Sequence, residues 1–117
     1  FRIAEIYLIR AEARAQQDNL SASTGALSDL NKVRDRAEVL PSTAVTKDEI
    51  LLAIENERRV EFAWEAHRWF DLVRTGRAKA VLEAIDTNTK VESYELLFPI
   101  PIVQLQLDPN LTPNPGY

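Results

Sequence analysis

The stretch that decides the fold is Glu57-Arg58-Arg59-Val60-Glu61-Phe62-Ala63-Trp64-Glu65-Ala66-His67-Arg68-Trp69-Phe70-Asp71-Leu72-Val73-Arg74. It follows Ile50 and Ile54, which recur at the spacing of one buried helix face. At 3.6 residues per turn, Glu57, Arg58, Glu61 and Glu65 come round to that same side, and Arg68 joins them if the helix runs on unbent. An apolar stripe thus becomes a ladder of mixed charge. Glu57–Glu61 and Glu61–Glu65 are like-charge pairs at i,i+4, which weaken an isolated helix slightly. They make sense where arginines from other helices stand between them. Arg10, Arg34 and Arg36 are the candidates, and the expected result is an ion-pair network that holds helix register more than it adds stability.

Working back from the ladder, Thr46-Lys47-Asp48-Glu49 reads as a capping box, so a long helix is expected to open at 46 and run towards Ala66. A fourth segment, 67–75, either continues it or bends from it. Upstream, residues 2–17 form a helix with two stripes: Ile3, Ile6, Tyr7, Arg10 and Ala13 on one side, Ala4, Leu8, Ala11 and Ala15 on another. Two stripes imply burial on two sides. Residues 18–23 read as a loop, and 24–38 as a second helix with Leu27, Leu30, Val33 and Ala37 at core spacing. Together the first two helices have the size of a tetratricopeptide-type hairpin, although no second copy repeats at a fixed period.

Downstream, Gly76 punctuates the chain and 77–85 reads as a short helix. Thr87 opens a polar loop, and 94–98 is expected to be a short extended piece. Five of the six prolines lie between Pro99 and Pro115, which excludes a central strand or a long helix there. Residues 102–107 suit a single helical turn. Leu97, Phe98, Ile100, Ile102, Leu105 and Leu107 make this tail apolar, and it is expected to pack on the helices. The fold class is all-α: helical hairpins over 1–85 and an irregular Pro-rich tail over 86–117.

Composition narrows the chemistry. The 117 residues are 45% hydrophobic and 27% charged, as one compact domain requires. A net charge of −4 with interleaved signs argues against nucleic acid as a partner. The absence of cysteine and a single histidine, His67, exclude thiol catalysis and cysteine-bearing zinc sites. No stretch reaches the ~18–20 apolar residues that cross a bilayer, and no leader peptide is visible. With no methionine and a start at Phe1 within an apolar helical pattern, the sequence reads as a segment of a longer protein.

Two catalytic arrangements compete with the ion-pair network. Neighbouring carboxylates on one helix face can meet the spacing of a glycosidase pair, but glutamates at i,i+4 are commonplace. A carboxylate-bridged metal site would need Glu-x-x-His, and Trp64 stands three residues before His67. Trp64, Trp69 and Phe70 could offer flat faces to sugars, yet aromatics at helical spacing more commonly belong to a core. No Gly-rich phosphate loop exists. No catalytic residue, metal or cofactor is expected.

The residues 57–76 resemble the signature of the SusD/RagB family, as do Tyr7-Leu8-Ile9-Arg10-Ala11-Glu12-Ala13 with Leu30-Asn31 and Arg34. So do Phe98-Pro99-Ile100-Pro101, Asp108-Pro109-Asn110-Leu111 and the ending Asn114-Pro115-Gly116-Tyr117. The match departs at Ala66, where the family often has Gly, at Ile102-Val103-Gln104, where Gln-Ser-Glu is usual, and at Pro113, where Gln is common. The resemblance implies the C-terminal portion of a lipid-anchored outer-membrane protein, exposed at the cell surface of bacteria of the Bacteroidetes kind. Its lipid-bearing Cys would lie outside this chain. Such proteins bind oligosaccharides, or peptides in some branches, and act as a lid over a TonB-dependent, SusC-like transporter. The signature residues Arg10, Glu57, Arg58, Glu61, Glu65, His67, Arg68, Asp71 and Arg74 are then architectural, and the ligand-binding residues are not identified. A helical-repeat scaffold for protein partners is the alternative function.

Overall fold

The computed structural model describes residues 2–86 and 88–117; Phe1 and Thr87, where the apolar helical pattern and the expected polar loop begin, lie outside the described residues. The described residues form helices and turns without a strand: α1 (Ile3–Gln16), α2 (Ala26–Arg36), α3 (Lys47–Glu61), α4 (His67–Arg74), α5 (Ala78–Ile85) and α6 (Ile102–Leu107). The chain divides into two compact units, Phe1–Arg68 and Trp69–Tyr117.

In the first unit α1 and α2 form a helical hairpin, with α3 packed on both. Ala4, Leu8, Ala11 and Ala15 of α1, Ala26, Leu30 and Val33 of α2, and Ile50 and Ile54 of α3 build the core, joined by Phe62. Alanines on α1 let the helices approach closely, while the branched side chains of α2 and α3 fill the seam. The connection between α1 and α2 is tight. Asp18 turns it with φ 58°, and Gly25 is buried where a Cβ would run into the backbone of Ser21 and Asn19. Leu27 is half-buried and Ala37, expected in the core, is exposed, because α2 ends one residue before it.

α3 opens as its sequence predicts. Thr46 Oγ1 accepts from the Glu49 N–H at 3.3 Å, and Glu49 Oε2 accepts from the Thr46 N–H at 3.0 Å and the Val45 N–H at 2.9 Å. Lys47 Nζ donates to the Gln16 carbonyl at 3.0 Å, so the start of α3 also satisfies the open end of α1. The other end differs from expectation. α3 stops at Glu61 rather than running towards Ala66, and residues 62–66 turn the chain with Trp64 at φ 68° and Ala66 at φ 60°. Arg2, described below, takes the Glu61 carbonyl that the next turn of helix would use. Ala66 also explains a departure noted in the sequence: glycine adopts this left-handed conformation without the steric cost that alanine carries.

The second unit holds the remainder of α4, α5 and the tail. Within it Phe98 returns to α4, its ring 6.4 Å from that of Trp69 and 6.1 Å from that of Phe70. Residues 93–96 form a 3-10 turn rather than the expected extended piece, because Glu95 folds back to accept from the Glu92 N–H at 2.7 Å. The chain then closes on itself. Tyr117 donates its hydroxyl to the Leu97 carbonyl at 2.9 Å, Asn114 donates to the Phe98 carbonyl at 2.8 Å, and Gly116 lies against the Tyr94 ring where no Cβ would fit. Leu97, Phe98, Ile102 and Leu107 remain exposed in this chain.

Candidate functional site

The charged ladder is a lattice of ion pairs across the first unit, organised around α3. Glu57, buried on the α2 side, accepts from Arg34 Nη1 at 2.7 Å. One turn later Glu61 takes two arginines, Arg36 at 2.6 Å and Arg2 at 2.9 Å. Arg2 also reaches the Glu61 carbonyl at 2.8 Å and Glu65 at 2.7 Å. Arg2 therefore clamps the end of α3 and the following turn to the start of α1. Arginine suits this task because its planar fork donates in several directions at once. The Glu61 carboxylate in turn holds the Arg36 guanidinium above its ordinary pKa, through the hydrogen bond first and charge second.

Phe62 sits at the centre of the clamp. Its buried ring lies under the Arg2 guanidinium at 5.0 Å and the Arg58 guanidinium at 5.1 Å, with the His67 ring 5.0 Å away and tilted by 39°. Cation–π contacts of this geometry are each worth roughly 0.5–2 kcal/mol, more as water is excluded. The end of α3 shows in the backbone: the Glu61 carbonyl, which a continuing helix would give to the Glu65 N–H, accepts from Arg2, and the Glu65 N–H turns to the Phe62 carbonyl at 3.1 Å.

Two expectations from the sequence are corrected here, for Arg10 and for the aromatics. Arg10 does not stand between the glutamates of α3; its Nε and Nη2 form a bidentate pair with Asp29 of α2 at 2.8 and 2.7 Å. The Asp29 hydrogen bond, then its charge, raises the Arg10 pKa further. Arg68 was to join the ladder only on an unbent helix; with the turn at 62–66 it pairs instead with Glu55 at 3.1 Å. Trp64, assigned to the core by its spacing, is fully exposed at 103% on its left-handed turn; of the other two aromatics assigned there, Trp69 is half-buried and Phe70 is exposed.

Glu57, Arg58, Glu61, Glu65, His67 and Arg68 are thus gathered in the first unit, while Asp71 and Arg74 form their own pair at 3.0 Å in the second. Sequence reading missed Asp29, which is 2% exposed and holds both Arg10 and Arg14, each at 2.7 Å. A signal was present: Asp29 falls between Ala26 and Leu30 on the buried stripe of α2. Glu55 and the clamp residue Arg2 carried no comparable signal. No helix among the described residues is long and apolar enough to cross a membrane, and no group of three or more His, Asp or Glu is placed to hold a metal ion.

The family model described as the SusD family matches residues 1–117. The chain belongs to the SusD family. Among relatives, a SusD-like protein of Formosa agariphila is 32% identical over 130 residues, covering 100% of this chain and 24% of that protein. The starch-binding protein SusD of Bacteroides thetaiotaomicron is 34% identical over 124 residues, covering 100% of this chain and 21% of that protein. A crystal structure of a SusD superfamily protein from Bacteroides vulgatus superposes with a TM-score of 0.86 at 28% identity, over 100% of this chain and 27% of that one. The SusD-family chain therefore spans about a quarter of the length of these relatives. Its all-α, tetratricopeptide-like architecture is that of its structural neighbours.

Proposed function

We propose that this chain is the C-terminal portion of a non-enzymatic cell-surface protein that binds nutrient oligosaccharides and delivers them to a TonB-dependent, SusC-like outer-membrane transporter. The observation that carries the reading is the family match over every residue of the chain, with relatives that include a protein named as starch-binding. Binding rather than catalysis is supported by the state of the carboxylates. Glu55, Glu57, Glu61 and Asp29 each hold an arginine, so the acidic residues of the ladder are occupied in joining helices. An acid–base pair needs one carboxyl kept protonated and free to approach a substrate.

In this reading Arg10, Glu57, Arg58, Glu61, Glu65, His67, Arg68, Asp71 and Arg74 fix helix register, and ligand contacts are made by other parts of the intact protein. Localisation at the outer membrane through an N-terminal lipid belongs to the same proposal, as does peptide rather than glycan cargo in some members. The test is to purify the full-length protein from outer membranes in mild detergent and to titrate it with maltooligosaccharides and other plant and algal glycans. The proposal expects a large barrel transporter to co-purify and at least one glycan to bind without being cleaved. A soluble, solitary protein, or one that hydrolyses the glycan, would overturn it.

A further inference from the structure

Away from the ion-pair lattice, the first unit carries a groove of about 470 Å³ between residues 42–46 and α3, and no residue of the lattice lines it. One wall is loop. Ser42 donates its N–H to Asn31 Oδ1 at 2.9 Å, Ala44 donates to Ser42 Oγ at 3.3 Å, and Val45 and Thr46 donate to Glu49 Oε2 at 2.9 and 3.0 Å. These bonds fix the loop, so the wall is formed before a ligand arrives, which lowers the cost of binding. The other wall is helix: Glu49, Leu52, Ala53 and Asn56 follow at three- and four-residue spacing along a single face of α3. Polar groups of both walls have bonding capacity left. Glu49 gives Oε2 to both backbone donors, and among the described residues its Oε1, the Asn56 amide and the Thr43 hydroxyl have no protein partner. The same N–H groups of Thr46 and Val45 hold the Glu49 carboxylate below the ordinary glutamate range, so it is ionised at neutral pH. Leu52, 42% exposed, joins Ala44 and Ala53 in an aliphatic lining beside these groups.

We propose that this groove is an accessory site for an uncharged sugar ring, additional to the principal ligand contacts made elsewhere in the intact protein. The proposal rests on the glycan-binding function proposed above. A carboxylate that accepts, an amide that donates and accepts, and a hydroxyl that does both match a ring with hydroxyls around its edge. The aliphatic lining covers the C–H surface of such a ring, and the volume falls within the range of small-molecule sites. An acidic sugar fits less well, because it would bring a second negative charge to Glu49. An apolar peptide segment fits less well too, since it would bury Glu49, Asn56 and Thr43 without bonding them. No aromatic side chain lines the groove, so the sugar has no stacking platform and the Kd is on the order of millimolar.

The test is amide hydrogen exchange of the full-length protein, read by mass spectrometry on peptides spanning 38–57. The probes are glucose, galactose and maltose, with galacturonate as the acidic counterpart, each at about 100 mM so that a millimolar site is filled. At least one neutral sugar is expected to slow exchange over this segment at least about fivefold, with α1 peptides unchanged and galacturonate without effect. The double variant Thr43→Val, Asn56→Leu alters exposed side chains outside the lattice and is expected to abolish the protection. Thermal melts establish that it is folded, and Thr43→Val alone serves if it is not. No protection by any of the neutral sugars, equal protection by galacturonate, or protection that survives the substitutions would overturn the proposal. Exchange fully blocked over 42–46 without sugar would overturn it in favour of a segment of the intact protein seated in the groove. Glycan binding by the full-length protein with no change over 38–57 removes this site and leaves the proposed function standing. Sugar-dependent protection in a protein found without a transporter does the reverse.

Discussion

At the residue scale, two carboxylates of the first unit each serve two arginines, Asp29 holding Arg10 and Arg14 and Glu61 holding Arg2 and Arg36. Asp29 is the deepest of them, with a side chain 3% exposed between Arg10 and Arg14. Removing it leaves two guanidinium groups facing an apolar seam, although both retain access to water. Asp29→Ala is expected to cost about 2–3 kcal/mol, in the range for hydrogen bonds to charged groups, read as a lower urea midpoint of the full-length protein. A midpoint within error of the wild type would show that the pair contributes nothing. Ala66 presents the opposite case, a residue in a conformation that favours another. Ala66→Gly relieves the left-handed strain at φ 60° and is expected to raise stability by up to about 1 kcal/mol, the gain being reduced by glycine's greater freedom in the unfolded chain. A drop in the unfolding midpoint would contradict that account of the turn.

At the scale of the element, α3 shows what a sequence can and cannot disclose. Its start was legible because a capping box is local: Thr46 and Glu49 meet across three residues, and the structure closes both hydrogen bonds. Its end was not. Nothing between Glu61 and His67 is a glycine or a proline, and the break follows from contacts with Arg2, some sixty positions away. The cap also carries a pH dependence. The backbone N–H of Thr46, then that of Val45, holds the Glu49 carboxylate below the ordinary glutamate range. A depressed folded-state pKa contributes stability that is complete above the unfolded value and is lost as pH falls through the folded one. The stability gap between wild type and Glu49→Gln is therefore expected to be constant near neutral pH and to shrink below the ordinary glutamate pKa. Thermal melts across pH 3–7, as an order-of-magnitude window around that pKa, check this. A gap that widens in acid would reverse the sign.

At the scale of the whole molecule, periodicity located the α-helices, though not the end of α3, and the quoted motifs were sufficient for the family. Asking what must separate like charges on α3 points to Arg34 or Arg36 as a partner, and the structure assigns Arg34 to Glu57 and Arg36 to Glu61. The partner of Arg10 did not, because two helices offered carboxylates and only the hairpin geometry chooses Asp29. Trp64 was misplaced for a related reason: helical spacing assigns a face only as far as the helix lasts.

The central claim is that the signature charges build the fold and leave ligand recognition to other residues. Glu61 tests it most directly, since it joins α1, α2 and α3 through Arg2 and Arg36. The measurement is the melting temperature and the glycan Kd of full-length Glu61→Ala beside the wild type, with Kd taken well below both transitions. The account predicts a melting temperature several degrees lower, as a loss of about 1–3 kcal/mol implies, and a Kd unchanged within about twofold. An unchanged melting temperature with binding abolished would contradict it.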